Sequence, residues 1–231
     1  MKAFIIRLRE NALSCDVADE CVAQAKKFGT EVEYFDAIYG NAGLDVFKEH
    51  GVGQFQRKVK EVTPGIVGCA ASHYLLWKKC VELDETLLIL EQDGYQIRPL
   101  PADIEDNFTD IIKLDNCRPS LDGYERCVRQ DHETKYMDYQ WPDWIVNNLR
   151  PKKIRRIPYG YPYFNGAWSY MIKPPGASKV CRAFETQGWV PADKALGSDI
   201  MSLKTTQETI FRLHPRYTPK KIKDLSLTRN L

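Results

Sequence analysis

The feature that most constrains this chain is a continuous apolar run, Thr86-Leu87-Leu88-Ile89-Leu90, that ends abruptly on Glu91-Gln92-Asp93-Gly94. A run without alternation leaves no face for water, so it predicts a strand covered on both sides, as parallel sheets are. The residues before it predict the helix that covers one of those sides. Thr63 caps its N-terminus and Pro64 suits its first turn, where no backbone donor is lost. Ile66, Val67, Ala70, Ala71, Leu75 and Val81 recur at roughly helical spacing and give the helix an inward stripe. Gly68, Cys69, Ala70, Ala71 and Ser72 are all small, so another element can approach the first half of this helix closely. Acidic residues at the carboxyl end of a central strand lie where open α/β sheets bind ligands.

Around this unit the chain alternates strands with helices, which predicts an α/β fold. Residues 2–8 read as a first strand, 16–28 as a helix stopped by Gly29, and 31–38 as a second strand. Such a strand–helix–strand opening implies a parallel pair with a right-handed crossover. Residues 41–60 read as a loop with a short helix. A short strand is expected at 110–114, and then periodicity disappears. The stretch 115–158 mixes charges with aromatic residues such as Tyr136, Tyr139 and Trp141 and reads as an excursion at the sheet edge. Strands are expected at 154–157 and 164–172, helices from Pro174 to Phe184 and over 193–202, and a last strand at 209–213 before a basic tail. A chain of 231 residues is long enough for one sizeable domain with a full core.

Charge and cysteine content exclude several classes. A net charge of +2 argues against a protein that coats nucleic acid. The locally basic stretches 150–156 and 220–223 suit phosphates or an anionic surface, allowing at most peripheral membrane contact through the tail. Seven cysteines is an odd number, no C-x-x-C occurs, and the expectation is reduced thiols in the cytoplasm. Met1 to Ile6 is too short an apolar run for a signal peptide, and no stretch has the length of a membrane span.

Several residue types can carry chemistry. Glu91 and Asp93 have the acidic-x-acidic spacing that holds a hard divalent cation, which in turn holds a diphosphate. Chance alone gives roughly 4 such pairs in a chain of this composition, and only this pair directly follows a continuous apolar strand. The competing reading is a hairpin, because Asp93-Gly94 is a favoured two-residue turn between 87–92 and 95–100. His73 is either a satisfied helix residue or a site residue. Asp193 and Asp199 both stand where a helix can begin, so each is either a first-turn carboxylate or a general base for an incoming hydroxyl. His214 is either a loop residue or a further metal ligand. Tyr159, Tyr161, Tyr163 and Trp168 either pack the core or offer faces to a sugar or base. No G-x-G-x-x-G, P-loop or G-x-S-x-G occurs.

Taken together, Gly68-Cys69-Ala70-x-Ser72-His73 and Leu88-Ile89-Leu90-Glu91-x-Asp93 resemble glycosyltransferase family 25, the family of bacterial lipooligosaccharide β-galactosyltransferases and collagen galactosyltransferases. Phe35-Asp36-Ala37-Ile38-Tyr39-Gly40 is similar to the family's A-V-D-G turn, Ala167-x-x-Tyr170-Met171-Ile172 with Gly176-Ala177 to its A-x-Y-x-I…G-A segment, and Pro191-Ala192-Asp193 to its P-V-D. Gln92 replaces the middle Asp of the L-E-D-D motif, Arg7 stands where Asn is expected, and Tyr39 replaces an Asp. The resemblance implies a GT-A fold, a UDP-sugar donor, a glycan or other hydroxyl acceptor, and inversion with a Mn²⁺ or Mg²⁺ cofactor. It implies a metal held by Asp93 and Glu91 and Asp193 as the base with Asp199 behind it, while His214 stays either a loop residue or a further ligand. Ile6, Arg7, Ala37, Ser72, His73 and Glu91 are implied at the donor. Two alternatives stay open, a non-catalytic glycan- or nucleotide-sugar-binding protein that keeps the fold, and a nucleotidyltransferase.

Overall fold

The computed structural model describes residues 1–53, 62–115, 135–139, 159, 164 and 166–216. The expected strand at 154–157, both basic stretches, Tyr161, Tyr163, Trp141 and most of the excursion lie outside these residues. The element order begins β1 (Lys2–Arg7), α1 (Ala12–Lys27), β2 (Glu33–Asp36), α2 (Ala42–Glu49), α3 (Pro64–Leu83) and β3 (Leu87–Glu91). It continues with β4 (Gly94–Gln96), a 3-10 turn (Ile104–Asn107), β5 (Ile111–Lys113), β6 (Tyr136–Asp138) and β7 (Ser169–Ile172). The last elements are α4 (Pro174–Gln187), the single-turn α5 (Ala192–Ala195), β8 (Leu203–Thr206) and β9 (Phe211–Leu213).

Seven strands form one sheet in the order β2-β1-β3-β7-β5-β8-β6. β1 pairs in parallel with both β2 and β3, and β5 with β8, whereas β7 and β6 run antiparallel to their neighbours. The result is a mixed α/β architecture with a mostly parallel sheet. The missing alternation in β3 has its cause in the two layers around it. Phe4, Ile6, Leu87 and Ile89 face a core built with α3, α2 and α4, and Ala3, Ile5, Leu88 and Leu90 face a second core that includes Val17, Ala18 and Cys21 of α1. Every one of these side chains is buried, so both faces of the strand are apolar. Among the described residues no helix is long and apolar enough to cross a membrane, and the five described cysteines are free thiols.

The helix caps are legible in the local chemistry. Asn11 accepts from the N–H of Ser14 at the start of α1, four residues upstream of where the apolar stripe places it, and Lys26 and Lys27 complement its carboxyl end. Thr63 accepts from the N–H of Ile66, with Pro64 in the first turn of α3. The inward stripe of α3 is rotated from the expected one. Val67, Ala70, Tyr74, Trp77 and Cys80 are buried, whereas Val81 is exposed. Tyr74 and Trp77 surround Phe184 of α4, one stacked and one edge-on, and such aromatic volume takes the centre of the layer.

Two further expectations are corrected. The 95–100 segment does not fold back on β3 as a hairpin. β4 instead pairs antiparallel with β9 in a separate two-stranded sheet, and the N–H of His214 donates to the carbonyl of Asp93 at 2.8 Å. A Cβ on Gly94 would stand 2.8 Å from the carbonyl oxygen of Trp168, so the chain leaves β3 through a gap only glycine fits. The expected helix over 193–202 is only the single turn α5, and β8 follows it unforeseen. Within the excursion the described strand β6 sits at the edge of the large sheet, paired with β8.

Candidate active site

β1, β2 and β3 all end on the same edge, at Arg7, Asp36 and Glu91. Two adjoining concavities open there. A larger one, about 440 Å³, is lined by Arg9, Asn11, Asp36, Ala37 and Tyr39. The smaller, about 60 Å³, shares Leu8, Ala37 and Tyr39 with it and reaches inward to Ile6, Ser72, His73 and Glu91. Together they make a groove across the carboxyl ends of parallel strands, the usual ligand crevice of an open α/β sheet.

The inner wall is the first half of α3. A Cβ on Gly68 would lie 2.4 Å from the carbonyl oxygen of Ile38 and 2.9 Å from the nitrogen of Gly40, so the 37–40 turn rests directly on the helix backbone. One turn later the Ser72 hydroxyl donates to the carbonyl of Gly68 at 2.7 Å and accepts from the N–H of Ile38 at 2.9 Å. Ser72 therefore straps the turn that carries Ala37, and its proton is committed within the protein.

Cys69 and His73 lie on the neighbouring face of the same helix. His73 is fully buried, its Nδ1 2.7 Å from the hydroxyl of Tyr170, which also accepts from the indole N–H of Trp77 at 2.9 Å. Its Nε2 stands 3.4 Å from an oxygen of Glu91, off the line of a hydrogen bond. Glu91 follows Ile89 on the α3 side of the sheet, which places its carboxylate, about a quarter exposed, in the cavity opposite Cys69 and His73. Burial pushes the Cys69 thiol well above its ordinary pKa, reinforced by the charge of Glu91.

Asp93 lies behind this group and does not line the cavity. It is buried, its Oδ1 has no hydrogen-bond partner, and no cationic side chain pairs with it among the described residues. Burial and the charge of Glu91 raise its pKa to about 8. A cation would satisfy the orphaned oxygen of Asp93 and offset the charge of Glu91 that reaches it. Asp193, in α5, has its carboxyl raised chiefly by burial; Lys194 opposes that shift and the charge of Glu91 adds to it. The expected base and the expected acidic pair thus share one electrostatic field.

The other expected residues lie elsewhere. His214 Nε2 stands 2.9 Å from Glu20 and its Nδ1 accepts from the N–H of Arg216, so both ring nitrogens are engaged on the α1 side. Burial lowers its pKa and holds it neutral. Arg7 bonds Asp36 at 3.1 Å and stacks over Tyr34 at 3.9 Å, which turns it from the cavity, while Arg9 lines the outer concavity. Asp199 is exposed. Tyr159 and Trp168 are core residues. Sequence reasoning missed Tyr170 and Trp77 as the partners that orient His73. Their only signal was the tyrosine of the A-x-Y-x-I segment.

Comparison with known families supplies the remaining observation. The profile described as glycosyltransferase family 25 (LPS biosynthesis protein) matches residues 1–196. The chain belongs to glycosyltransferase family 25. The match takes in the whole groove, Glu91, Asp93 and Asp193, and ends before Asp199 and His214. Membership makes this a glycosyltransferase, with a sugar donor and an acceptor as its partners. A search of individual curated proteins finds no match.

Proposed function

We propose that this glycosyltransferase carries a hexose, galactose by its resemblance to the family, from a UDP-sugar to a hydroxyl of a glycan or similar acceptor, with inversion at the anomeric carbon. The observation that carries the reading is the groove across the carboxyl ends of β1, β2 and β3 with Glu91 in its wall, whose charge reaches both Asp93 behind it and Asp193 of α5. The sheet order supports a GT-A-type fold for it. Glu91 and Asp93 would hold a Mn²⁺- or Mg²⁺-type ion, whose charge offsets the charge that builds on the departing diphosphate.

The chain's own residues do the rest. The groove formed by Leu8, Ala37 and Tyr39 holds the nucleotide end of the donor and excludes water from it. Glu91 stands 3.4 Å from His73, which Tyr170 and Trp77 hold from behind. Asp193, whose raised proton affinity suits a base, takes the proton of the acceptor hydroxyl. The acceptor oxygen then bonds to the anomeric carbon as the bond from that carbon to the diphosphate oxygen breaks, and UDP leaves. Gln92 removes one negative charge from the family's acidic motif, so Glu91 and Asp93 act without a third carboxylate between them.

The experiment is a thermal-shift titration of wild type and Asp93→Ala with UDP, with and without Mn²⁺, together with a UDP-sugar hydrolysis assay. A ligand at a hundred times its Kd stabilises by about 2.7 kcal/mol. The expected result is Mn²⁺-dependent stabilisation by UDP in wild type and its loss in the variant. A folded Asp93→Ala protein that binds UDP with Mn²⁺ as tightly as wild type refutes the metal assignment. Binding without turnover by wild type favours a sugar-nucleotide-binding protein instead.

A further inference from the structure

The acidic pair is not the only set of ligand atoms at this edge. The Sγ of Cys69, a ring nitrogen of His73 and a carboxylate oxygen of Glu91 all lie within 4.8 Å of one another. They come from two rigid elements. Cys69 and His73 are one turn apart on α3 and so project side by side, and Glu91 faces them from the end of β3. All three line the same cavity of about 60 Å³, which supplies both an entry path and room for a metal-bound water.

We propose that Cys69, His73 and Glu91 form a three-ligand site for a borderline divalent metal of the zinc class, with a fourth position open to the cavity. The donor set decides the class. Thiolate and imidazole select zinc over magnesium or manganese, which prefer oxygen. Tetrahedral zinc, with bonds of 2.0–2.3 Å, sets its donors roughly 3.3–3.8 Å apart. His73 Nε2 and Glu91 are already 3.4 Å apart, and the thiol lies within 4.8 Å of the other two donors. The independent observation is His73 itself. It is completely buried, and its Nε2 has no hydrogen-bond partner although it faces the other two donors.

The surroundings supply the outer support that metal-binding histidines need. When Nε2 binds the metal, Nδ1 must carry the proton, and the Tyr170 oxygen 2.7 Å away accepts it, with Trp77 fixing Tyr170 in turn. Binding replaces the proton on Cys69 with the metal, and that proton passes to solvent. No electron moves. Glu91 belongs to both ligand sets, so zinc here and a Mn²⁺-type ion on Glu91 and Asp93 compete for one carboxylate. That competition rests on the transferase reading, whereas the zinc site does not.

Zinc K-edge absorption on the wild-type chain loaded with one equivalent of Zn²⁺ tests the site without any variant. One sulfur at about 2.3 Å with two or three nitrogen or oxygen atoms at about 2.0–2.2 Å is expected. No sulfur, or two or more drawn from the seven cysteines, overturns the proposal. Co²⁺ provides a second readout, because a tetrahedral thiolate site gives strong visible bands and a near-ultraviolet charge-transfer band. Cys69→Ser should abolish the charge-transfer band and weaken Co²⁺ binding at least tenfold, while Cys15→Ser leaves both unchanged. A Cys69→Ser protein that keeps the band and the affinity refutes the assignment. UDP binding with Mn²⁺ is measured separately, so failure of the zinc site leaves the transferase reading standing.

Discussion

Replacing Gly68 by alanine sets two physical effects of opposite sign against each other. In a helix interior alanine is favoured over glycine by roughly 0.8–1 kcal/mol, so propensity alone predicts a more stable protein. The new methyl group would, however, sit 2.4 Å from the carbonyl oxygen of Ile38 and 2.9 Å from the nitrogen of Gly40. Both obstacles are backbone, which cannot swing aside as a long side chain can. To regain ordinary contact the 37–40 turn must retreat by about 1 Å, and overpacking of this kind costs typically about 1–3 kcal/mol. Retreat also strains the 2.9 Å bond from the Ile38 N–H to Ser72, worth about 1 kcal/mol. The sum is a net loss of about 1–3 kcal/mol, which in a chain of this size lowers Tm by roughly 2–12 °C. Urea unfolding followed by far-UV circular dichroism measures it. The midpoint should fall with an unchanged slope, and affinity for any ligand of the groove should fall too, because Ala37 and Tyr39 move with the turn. A Gly68→Ala protein as stable as wild type would show that the helix and the turn do not meet as described.

Three further expectations concern the site and its supports. Tyr170→Phe leaves the Trp77 indole N–H and His73 Nδ1 without their shared partner, and should cost about 2–4 kcal/mol in denaturant unfolding while secondary structure is retained. Asp93 has a folded-state pKa raised to about 8, so between about pH 4 and 8 the folded chain holds a proton that the unfolded chain has released. Metal-free stability therefore falls as pH rises through that window, by up to about 1.4 kcal/mol per unit, and is unaffected by Asp93 below it. Asp93→Asn should abolish this slope in chelator-treated protein and raise Tm at pH 8 but not at pH 4; equal pH profiles would refute it. Asp110 is almost fully buried at the start of β5, where it accepts from Lys179 at 2.7 Å and from the N–H of Ser202 at 2.7 Å. Asp110→Ala should cost about 2–3 kcal/mol, most of it from the unpaired Ser202 N–H because half-exposed Lys179 can turn to water.

How much of this was legible in the sequence depended on whether the deciding contacts were local. β3 could be read because an unbroken apolar run has one physical explanation, and α3 because Thr63 and Pro64 mark its start. The acidic ending of β3 pointed to the groove, since strand direction alone sends Glu91 to the carboxyl edge of the sheet. The hairpin reading of Asp93-Gly94 failed because the partner of β4 is β9, which no turn signal beside Gly94 reveals. The long-range partners of Ser72, Arg7 and His214, namely Ile38, Asp36 and Glu20, leave no mark in the local sequence. The stripe of α3 was misjudged at Val81 because the volumes of Tyr74 and Trp77, rather than hydropathy, decide which face turns inward.

The pairing of β4 with β9 also orders events in time. Asp93 is pinned through its carbonyl to His214, and the strand that seals this corner is synthesised long after the large sheet's first three strands can associate. Contacts so distant along the chain form late, because the intervening loop must first be closed. A nascent chain can thus assemble the groove on β1, β2 and β3 while Asp93 is still unfixed, and the backbone position of Asp93 is set only once β9 has been made.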